Sequence, residues 1–256
     1  MNSALIGYTG FVGSTLTKQY QFDELYNSKN IEEIRGKSFK TVICAGAPAV
    51  KWKANQEPQQ DLMNVNMLMS HLETIKADEF ILISTVDVYK SPINVDESSE
   101  IHPYDVEPYG KHRYFLEQFV RNHFSNSFII RLPGLFGEGL KKNFIYDLIH
   151  NNCLHLTHYQ SVFQFYDLSR LWMDIQIIKE RGINLVNFST EPVSAEEVAS
   201  NCFGLTFNNI TEKPPVYYDM KSLHAGQFND GQPYMMSKDE IFLKIRELVE
   251  MEKSRI

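Results

Sequence analysis

An α/β chain built on a doubly wound parallel sheet is the fold class this sequence predicts, and three observations predict it. Short apolar runs, Ala4-Leu5-Ile6, Thr41-Val42-Ile43-Cys44, Phe80-Ile81-Leu82-Ile83 and Phe128-Ile129-Ile130, recur along the first half. Continuous runs of this kind suit strands buried on both faces of a parallel sheet. Helix-patterned stretches over 57–77 and 107–124 alternate with them, as a doubly wound sheet requires. The first run also feeds directly into Gly7-Tyr8-Thr9-Gly10-Phe11-Val12-Gly13 and a helix-like Ser14-Thr15-Leu16. A glycine-rich turn between strand and helix lets backbone approach a pyrophosphate, and it aims the helix's free N–H groups and positive end at the anion. Gly7, Thr9, Gly10, Phe11, Val12 and Gly13 therefore form a candidate phosphate cradle. Glycine turns also occur there for packing alone, so the later motifs decide its meaning.

The elements follow in order. Between Gly13 and Val42 there is room for a helix, a short strand near Tyr20 to Tyr26 and another short helix, but hardly for a further strand-helix-strand unit, so one sheet edge is trimmed. Beyond Arg131, Leu132-Pro133-Gly134-Leu135-Phe136-Gly137-Glu138-Gly139 reads as a loop, followed by a helix from Asn143 to His150. Residues 167–181 read as helix and Leu185 to Phe188 as a strand returning to the main sheet, before Ser194 opens another helix. Ser237-x-x-Glu240 is a capping box that leads an amphipathic helix through Ile241, Phe242, Ile245, Leu248 and Val249. Residues 1–132 are expected to form one domain and 133–256 mainly a second lobe, with 167–188 rejoining the first.

The 256 residues, 43% hydrophobic and 22% charged, are ordinary for a soluble globular protein with a sizeable core. A net charge of -7 without a long basic run argues against a general nucleic-acid surface and favours small-molecule partners. With no basic leader ahead of an apolar core and no apolar run long enough to span a bilayer, a cytoplasmic protein without a membrane partner is expected. Cys44, Cys153 and Cys202 are odd in number and far apart, which reads as reduced, buried thiols. His150, Cys153, His155 and His158 fit no zinc spacing, and the alternation over 153–158 reads as a strand with one polar face, so no metal is expected.

The chemistry-bearing residues lie at two strand and helix ends. The run at Phe80 ends in Ser84-Thr85-Val86-Asp87-Val88-Tyr89, placing hydroxyls at the carboxyl end of a central strand, where open α/β sheets hold ligands. Downstream, Glu107-Pro108-Tyr109-Gly110-Lys111-His112-Arg113 puts Tyr109 in a helix's first turn. Arg113, four residues on, lies over the same face, whereas Lys111 points elsewhere. Cys44-Ala45-Gly46, at another strand end, has the small residues that permit close backbone approach to a ligand.

The glycine turn, Ser84-Thr85-x-x-Val88-Tyr89 and Tyr109-Gly110-x-x-Arg113-x-x-x-Glu117 together resemble the extended short-chain dehydrogenase/reductase superfamily, in its branch of NAD-dependent sugar-nucleotide epimerases, dehydratases and reductases. Asn66, Arg131-Leu132-Pro133 and Gly137-x-Gly139 match further family positions. The resemblance implies a Rossmann-type dinucleotide-binding domain over 1–132, NAD or NADP as cofactor, a sugar-nucleotide substrate held against a C-terminal lobe, and a homodimer through the helices at 57–77 and 107–124. It further implies that Tyr109 is the general acid/base, with Arg113 and the oxidised nicotinamide lowering its pKa, and that Thr85 orients the substrate oxygen. Ser84, Cys44, Ala45, Gly46 and Pro133 would line the cofactor. Asp87, Lys141, Lys142 and Asn143 would face substrate, the last three at its diphosphate.

Two departures stand out: arginine replaces the family lysine at 113, and the chain is short for the branch. Arginine preserves charge but not a relay through a neutral amine, because guanidinium does not deprotonate. Cofactor choice stays open at the second strand, where Asp23, Glu24 and Asn27-Ser28-Lys29 all qualify, with Asn27 and Ser28 the nearest candidates. Val86 in place of an acid weakens a dehydratase, leaving reductase and epimerase unseparated. A redox-silent dinucleotide-binding sensor or scaffold is the alternative; an RNA-binding role has little support from the acidic balance.

Overall fold

The computed structural model describes residues 2–229 and 233–254. In chain order the regular elements are β1 (Ser3–Ile6), α1 (Phe11–Gln19), β2 (Glu24–Tyr26), β3 (Ser38–Cys44), α2 (Lys51–Gln56), α3 (Pro58–Leu72), β4 (Lys76–Thr85), β5 (Ile93–Val95), α4 (Pro108–His123), β6 (Ser127–Leu132), β7 (Gly134–Phe136) and α5 (Phe144–His150). There follow β8 (Val162–Phe163), β9 (Phe165–Asp167), α6 (Leu171–Arg181), β10 (Leu185–Asn187), β11 (Val193–Ser194), α7 (Ala195–Phe203), β12 (Asp219–Met220) and α8 (Lys238–Lys253). Contacts divide the chain into two units: residues 1–90, 99–132 and 171–186, and residues 91–98, 133–170 and 187–256.

The first unit is built on a six-stranded parallel sheet in the order β10-β6-β4-β3-β1-β2. This is a Rossmann-type order with one edge strand missing: after β2 the chain makes only a 3-10 turn at Ile31–Ile34 before entering β3. Register is set by apolar residues pairing across the strands, with Leu5 opposite Ile43, Ile43 opposite Ile81, and Ile81 opposite Phe128. On one face Val42, Phe80, Leu82 and Ile129 pack with Val65, Leu68 and Leu72 of α3 and Leu116, Val120 and Phe124 near α4. Alternate residues Leu5, Ile43, Ile81 and Ile130 are equally buried and face the other way. Tyr20 stacks on Trp172 at 4.0 Å, joining the end of α1 to α6.

A buried ion pair crosses this unit. Arg131 of β6 donates through Nε (3.0 Å) and Nη2 (2.6 Å) to Glu117 of α4, and through Nη1 to the Tyr89 hydroxyl (2.8 Å). The Ser84 hydroxyl donates to the same carboxylate at 2.6 Å.

The second unit holds three two-stranded pairings, β7 with β9, β8 with β11 and β12 with β5, together with α5, α7 and α8. Capping boxes at Ser194 and Ser237 start α7 and α8. Several sequence expectations are corrected here. Gly134–Phe136 is a strand inside the expected loop, because it finds a parallel partner in β9. Residues 153–158 are not a strand: Leu154–Leu156 form a 3-10 turn entered from Cys153 at φ 48°, and Leu156 is 70% exposed. The helix expected from 167 begins at Leu171, after the strand β9 and a 3-10 turn. Cys44 and Cys202 are buried, but Cys153 is exposed. Among the described residues no group of three or more metal-ligating side chains is placed to hold an ion, and no helix is long and apolar enough to cross a membrane.

Glu117→Ala leaves the Arg131 guanidinium buried without its carboxylate and is expected to cost about 3–5 kcal/mol in urea unfolding. The double variant Glu117→Leu/Arg131→Met, which removes both charges, should recover most of that loss.

Candidate functional site

The strand order reverses between β1 and β3, which run side by side to the same end. Gly7 leaves β1 at φ 87°, and a Cβ there would lie 2.4 Å from the Ala45 carbonyl oxygen, so the loops after β1 and β3 pack backbone to backbone. A Cβ on Gly13 would meet the Gly7 carbonyl oxygen at 2.1 Å, which fixes α1 against the turn. Gly10 differs: it is exposed, and a Cβ there would meet only the Gly7 carbonyl oxygen, at 3.4 Å. Packing demands glycine at 7 and 13, whereas at 10 glycine keeps the mouth of the turn open.

Gly10 is also the N-cap of α1, which has no side-chain cap and no acidic residue in its first turn. The first N–H groups of a helix lack intrahelical partners, so they are offered to an anion here. This uncapped, acid-free helix start behind an open glycine fits a dinucleotide pyrophosphate. At the neighbouring strand β2 ends at Tyr26, and Asn27 closes a turn by accepting from Lys29 N (2.8 Å) while its own N–H donates to Asn30 Oδ1 (2.7 Å). Ser28 and Lys29 are exposed. The two acids open in the sequence are engaged elsewhere: Asp23 accepts from Ser3 N (2.7 Å), and Glu24 accepts from Lys37 (2.8 Å) and the Tyr26 hydroxyl. The end of β2 therefore presents no carboxylate of its own.

At the end of β4, Thr85 caps a 3-10 turn by accepting from Asp87 N at 3.1 Å. Gly110, in the first turn of α4, is pressed onto that turn so closely that a Cβ would lie 1.8 Å from the Asp87 carbonyl oxygen. The contact brings Tyr109 to the strand end that carries Thr85. The Tyr109 N–H is held by Asn55 Oδ1 of α2 at 2.9 Å. Burial pushes the phenol above its ordinary value and the Asp87 charge adds to this, while Arg113, Lys51 and Thr85 offset part of it. Arg113 lowers the phenol as expected from the sequence, but burial outweighs it in the protein alone.

Arg113 does lie over the Tyr109 ring, its guanidinium carbon 4.1 Å from the centroid. Its two terminal nitrogens are committed, while its buried Nε–H has no protein partner. Asp61 of α3 takes both terminal nitrogens, one at 2.9 Å, and the carbonyls of Pro48 and Tyr109 accept from them as well. His112 Nδ1–H donates to the same carboxylate at 2.7 Å. Burial would raise the Asp61 carboxyl, but its bonds to Arg113 and His112 hold it below the ordinary range. Arg113 is therefore a buried strut joining α4, α3 and the loop after β3, and it has no terminal donor turned to a ligand. Asp61 was legible in one respect, since it stands in register with the apolar stripe Val65, Leu68 and Leu72, where a carboxylate needs a buried partner.

Other predicted site residues are spent on the fold. The Ser84 hydroxyl serves Glu117, and the Cys44 side chain belongs to the core, where burial pushes its thiol up to about 11. Asn143 caps α5: its Oδ1 accepts from Ile145 N (3.0 Å) and Tyr146 N (3.2 Å), and its Nδ2 donates to the Leu135 carbonyl (2.7 Å). The amide oxygen and one amide hydrogen are thus used by the fold. Lys141 and Lys142 beside it are exposed, and Pro133 connects β6 to β7. Asp87 binds Lys51 of α2 at 2.7 Å, a contact between residues 36 apart that no sequence spacing signals.

Comparison with known proteins gives a consistent picture. The model of the NAD dependent epimerase/dehydratase family matches residues 20–156. Among curated proteins none matches the chain in sequence. Many solved structures share the fold, among them the following three. A dTDP-4-dehydrorhamnose reductase from Bacillus anthracis, in complex with NADP, is 18% identical at a TM-score of 0.74, over 98% of this chain and 99% of that one. A UDP-N-acetylglucosamine 4-epimerase from Methanobrevibacter ruminantium is 16% identical at 0.75, over 100% and 99%. A UDP-glucose 4-epimerase from Thermotoga maritima is 15% identical at 0.68, over 100% and 99%.

Gly110→Ala must push α4 off the end of β4 and is expected to cost about 1–3 kcal/mol in urea unfolding. Asp61 contributes stability that is complete above its unfolded value of 3.8 and lost as the pH falls below it, because its folded value is the lower of the two. The stability gap between the natural chain and Asp61→Asn, measured by urea unfolding, should accordingly be widest near neutrality and narrow below pH 3.8.

Proposed function

Because the chain belongs to the NAD dependent epimerase/dehydratase family, we propose that it moves hydride between a nicotinamide dinucleotide and a nucleotide-linked keto or deoxy sugar, as a reductase or epimerase. The observation that carries this reading is the first turn of α4, with Tyr109, pressed by Gly110 onto the carboxyl end of β4 that carries Thr85, on the sheet whose switch point carries the open, uncapped start of α1. Bound there, the cofactor supplies the hydride. Thr85 holds the reacting sugar oxygen and Tyr109 handles its proton. A phenol kept protonated by burial and by Asp87 is a donor, which suits reduction of a carbonyl to an alcohol.

NADP(H) is the cofactor we favour, since Asn27, Ser28 and Lys29 follow β2 and no carboxylate stands there to repel a 2′-phosphate. The Bacillus anthracis reductase, in complex with NADP, is in keeping with that choice. Lys141, Lys142 and Asn143 remain the candidates for the substrate diphosphate, Asn143 with the amide hydrogen that its capping of α5 leaves over.

A second reading, a redox-silent dinucleotide binder, is favoured by Arg113, whose terminal nitrogens are taken by Asp61 and two carbonyls. Titration of the purified chain with NADPH and NADH, followed by assay of a panel of dTDP- and UDP-linked keto sugars by nicotinamide absorbance, separates the two. NADPH is expected to bind more tightly than NADH. Tyr109→Phe should lower turnover by about 10²–10⁴-fold with NADPH affinity unchanged. Full turnover by that variant would overturn the mechanism; tight NADPH binding without turnover on any sugar would favour the silent binder.

A further inference from the structure

The first turn of α4 carries Tyr109, and its helix start is held from outside the helix. Glu107 is the N-cap and makes no side-chain capping bond, and Pro108 follows with no N–H. The helical ladder starts at Lys111, whose N–H donates to the Glu107 carbonyl at 3.0 Å. Tyr109 N–H lies ahead of that ladder, among the donors that a helix leaves without a partner of its own. A capping side chain ordinarily serves this position from the residue just before the helix. Here the acceptor is Asn55 Oδ1 of α2, 2.9 Å away and 54 residues back in the chain.

A cap supplied by another element does more than satisfy a donor. A local cap fixes a residue relative to its own helix, whereas Asn55 fixes Tyr109 relative to α2. That helix is in turn tied to the end of β4, because Lys51, one turn before Asn55 and on the same helix face, pairs with Asp87 at 2.7 Å. Asp87 belongs to the 3-10 turn that Thr85 caps, the turn on which Gly110 rests. Three elements, α2, α4 and the end of β4, thus close a triangle of contacts. The Gly110 side of it is repulsive: it limits how near α4 comes and cannot keep the first turn seated. Arg113 anchors α4 one turn further along, through Asp61 and the Pro48 carbonyl. The bond to Asn55 holds the backbone of Tyr109 itself.

We propose that Asn55 is a positioning residue for Tyr109: its side-chain oxygen seats the first turn of α4 on the end of β4 and so sets where the phenol meets the substrate oxygen. This rests on the reading of Tyr109 as acid/base. Asn55 acts through Tyr109 and not on substrate. The bond uses only the acceptor oxygen, so aspartate can stand in for asparagine, and the positive end of α4 favours a carboxylate there. Leucine fills a similar volume and accepts nothing. A reacting group displaced by about 1 Å loses rate in the chemical step, so the loss falls on kcat.

The test reads the Tyr109 amide directly. In the full chain labelled with 15N-tyrosine, its signal is assigned by its absence from Tyr109→Phe, and its hydrogen exchange is measured. An N–H ahead of the ladder exchanges fast unless it is bonded, so protection is expected in the natural chain. Asn55→Leu and Asn55→Ala should each speed that exchange about five- to tenfold, and Asn55→Asp should keep the protection. The Tyr114 amide, inside α4, should stay unchanged and reports that each variant folds. With NADPH and a keto sugar on which the natural chain is active, Asn55→Leu should lower kcat about tenfold at unchanged KM, and Asn55→Asp should keep most of it. Equal exchange of the Tyr109 amide in the natural chain and in Asn55→Leu would overturn the proposal, and so would faster exchange at full kcat. A natural chain active on no keto sugar, with protection lost in Asn55→Leu and kept in Asn55→Asp, would count against the enzymatic reading and leave the seating of Tyr109 by Asn55 standing.

Discussion

The contact on which the site depends is the approach of Gly110 to the Asp87 carbonyl. With room for no Cβ between them, the first turn of α4 rests on the end of β4, and hard-core repulsion sets the spacing. Tyr109 and Thr85 are brought together as a result, although 24 residues of chain separate them by number. Gly7 and Gly13 work the same way at the neighbouring strands, where the turn after β1, the loop after β3 and α1 meet backbone to backbone. A pair of such contacts makes a rigid frame, because a main-chain atom has no rotamer through which to yield. The chemistry inherits its geometry from packing.

Charge is organised around that frame by two buried arginines, each taken by one carboxylate. Arg131 with Glu117 joins β6 to α4, and Arg113 with Asp61 joins α4 to α3. Pairs of this kind add little net stability over apolar packing, yet breaking one leaves an uncompensated charge in the interior, so they penalise any arrangement that separates the partners. Arg113 also bonds the Pro48 carbonyl, just beyond the Ala45-Gly46 segment that backs the glycine turn. A single guanidinium thereby links the loop after β3 to Tyr109. Its positive charge remains over the phenol, but its terminal donors belong to the fold.

Much of this was legible in the residues. The glycine turn, the hydroxyls at the end of β4, Tyr109 in a first helical turn with Arg113 on its face, the trimmed sheet edge and the capping box at Ser237 all follow from local spacing and propensity. What misled was the assumption that a polar side chain near a ligand-binding end faces the ligand. Ser84 turns to Glu117 and Asn143 turns back to cap its own helix, because a buried hydroxyl or an open helix start takes the nearest satisfying partner. Likewise the run at 134–136 pairs with β9 where its proline and glycine neighbours suggested a loop, and the alternation at 153–158 lacked a partner strand and became a 3-10 turn.

The sequence by itself determined the order of the main-sheet strands and their helices, the glycine turn with its open helix start and the residue types at the ends of β4 and α4, since these rest on periodicity, on the missing Cβ of glycine and on first-turn preferences read within a few residues. Tertiary structure alone decided the electrostatics of the phenol. Asp61 meets Arg113 across 52 positions and Lys51 meets Asp87 across 36. How firmly a cation is held depends on which carboxylate the fold brings beside it and how much water reaches the pair. Neither is a property of local sequence.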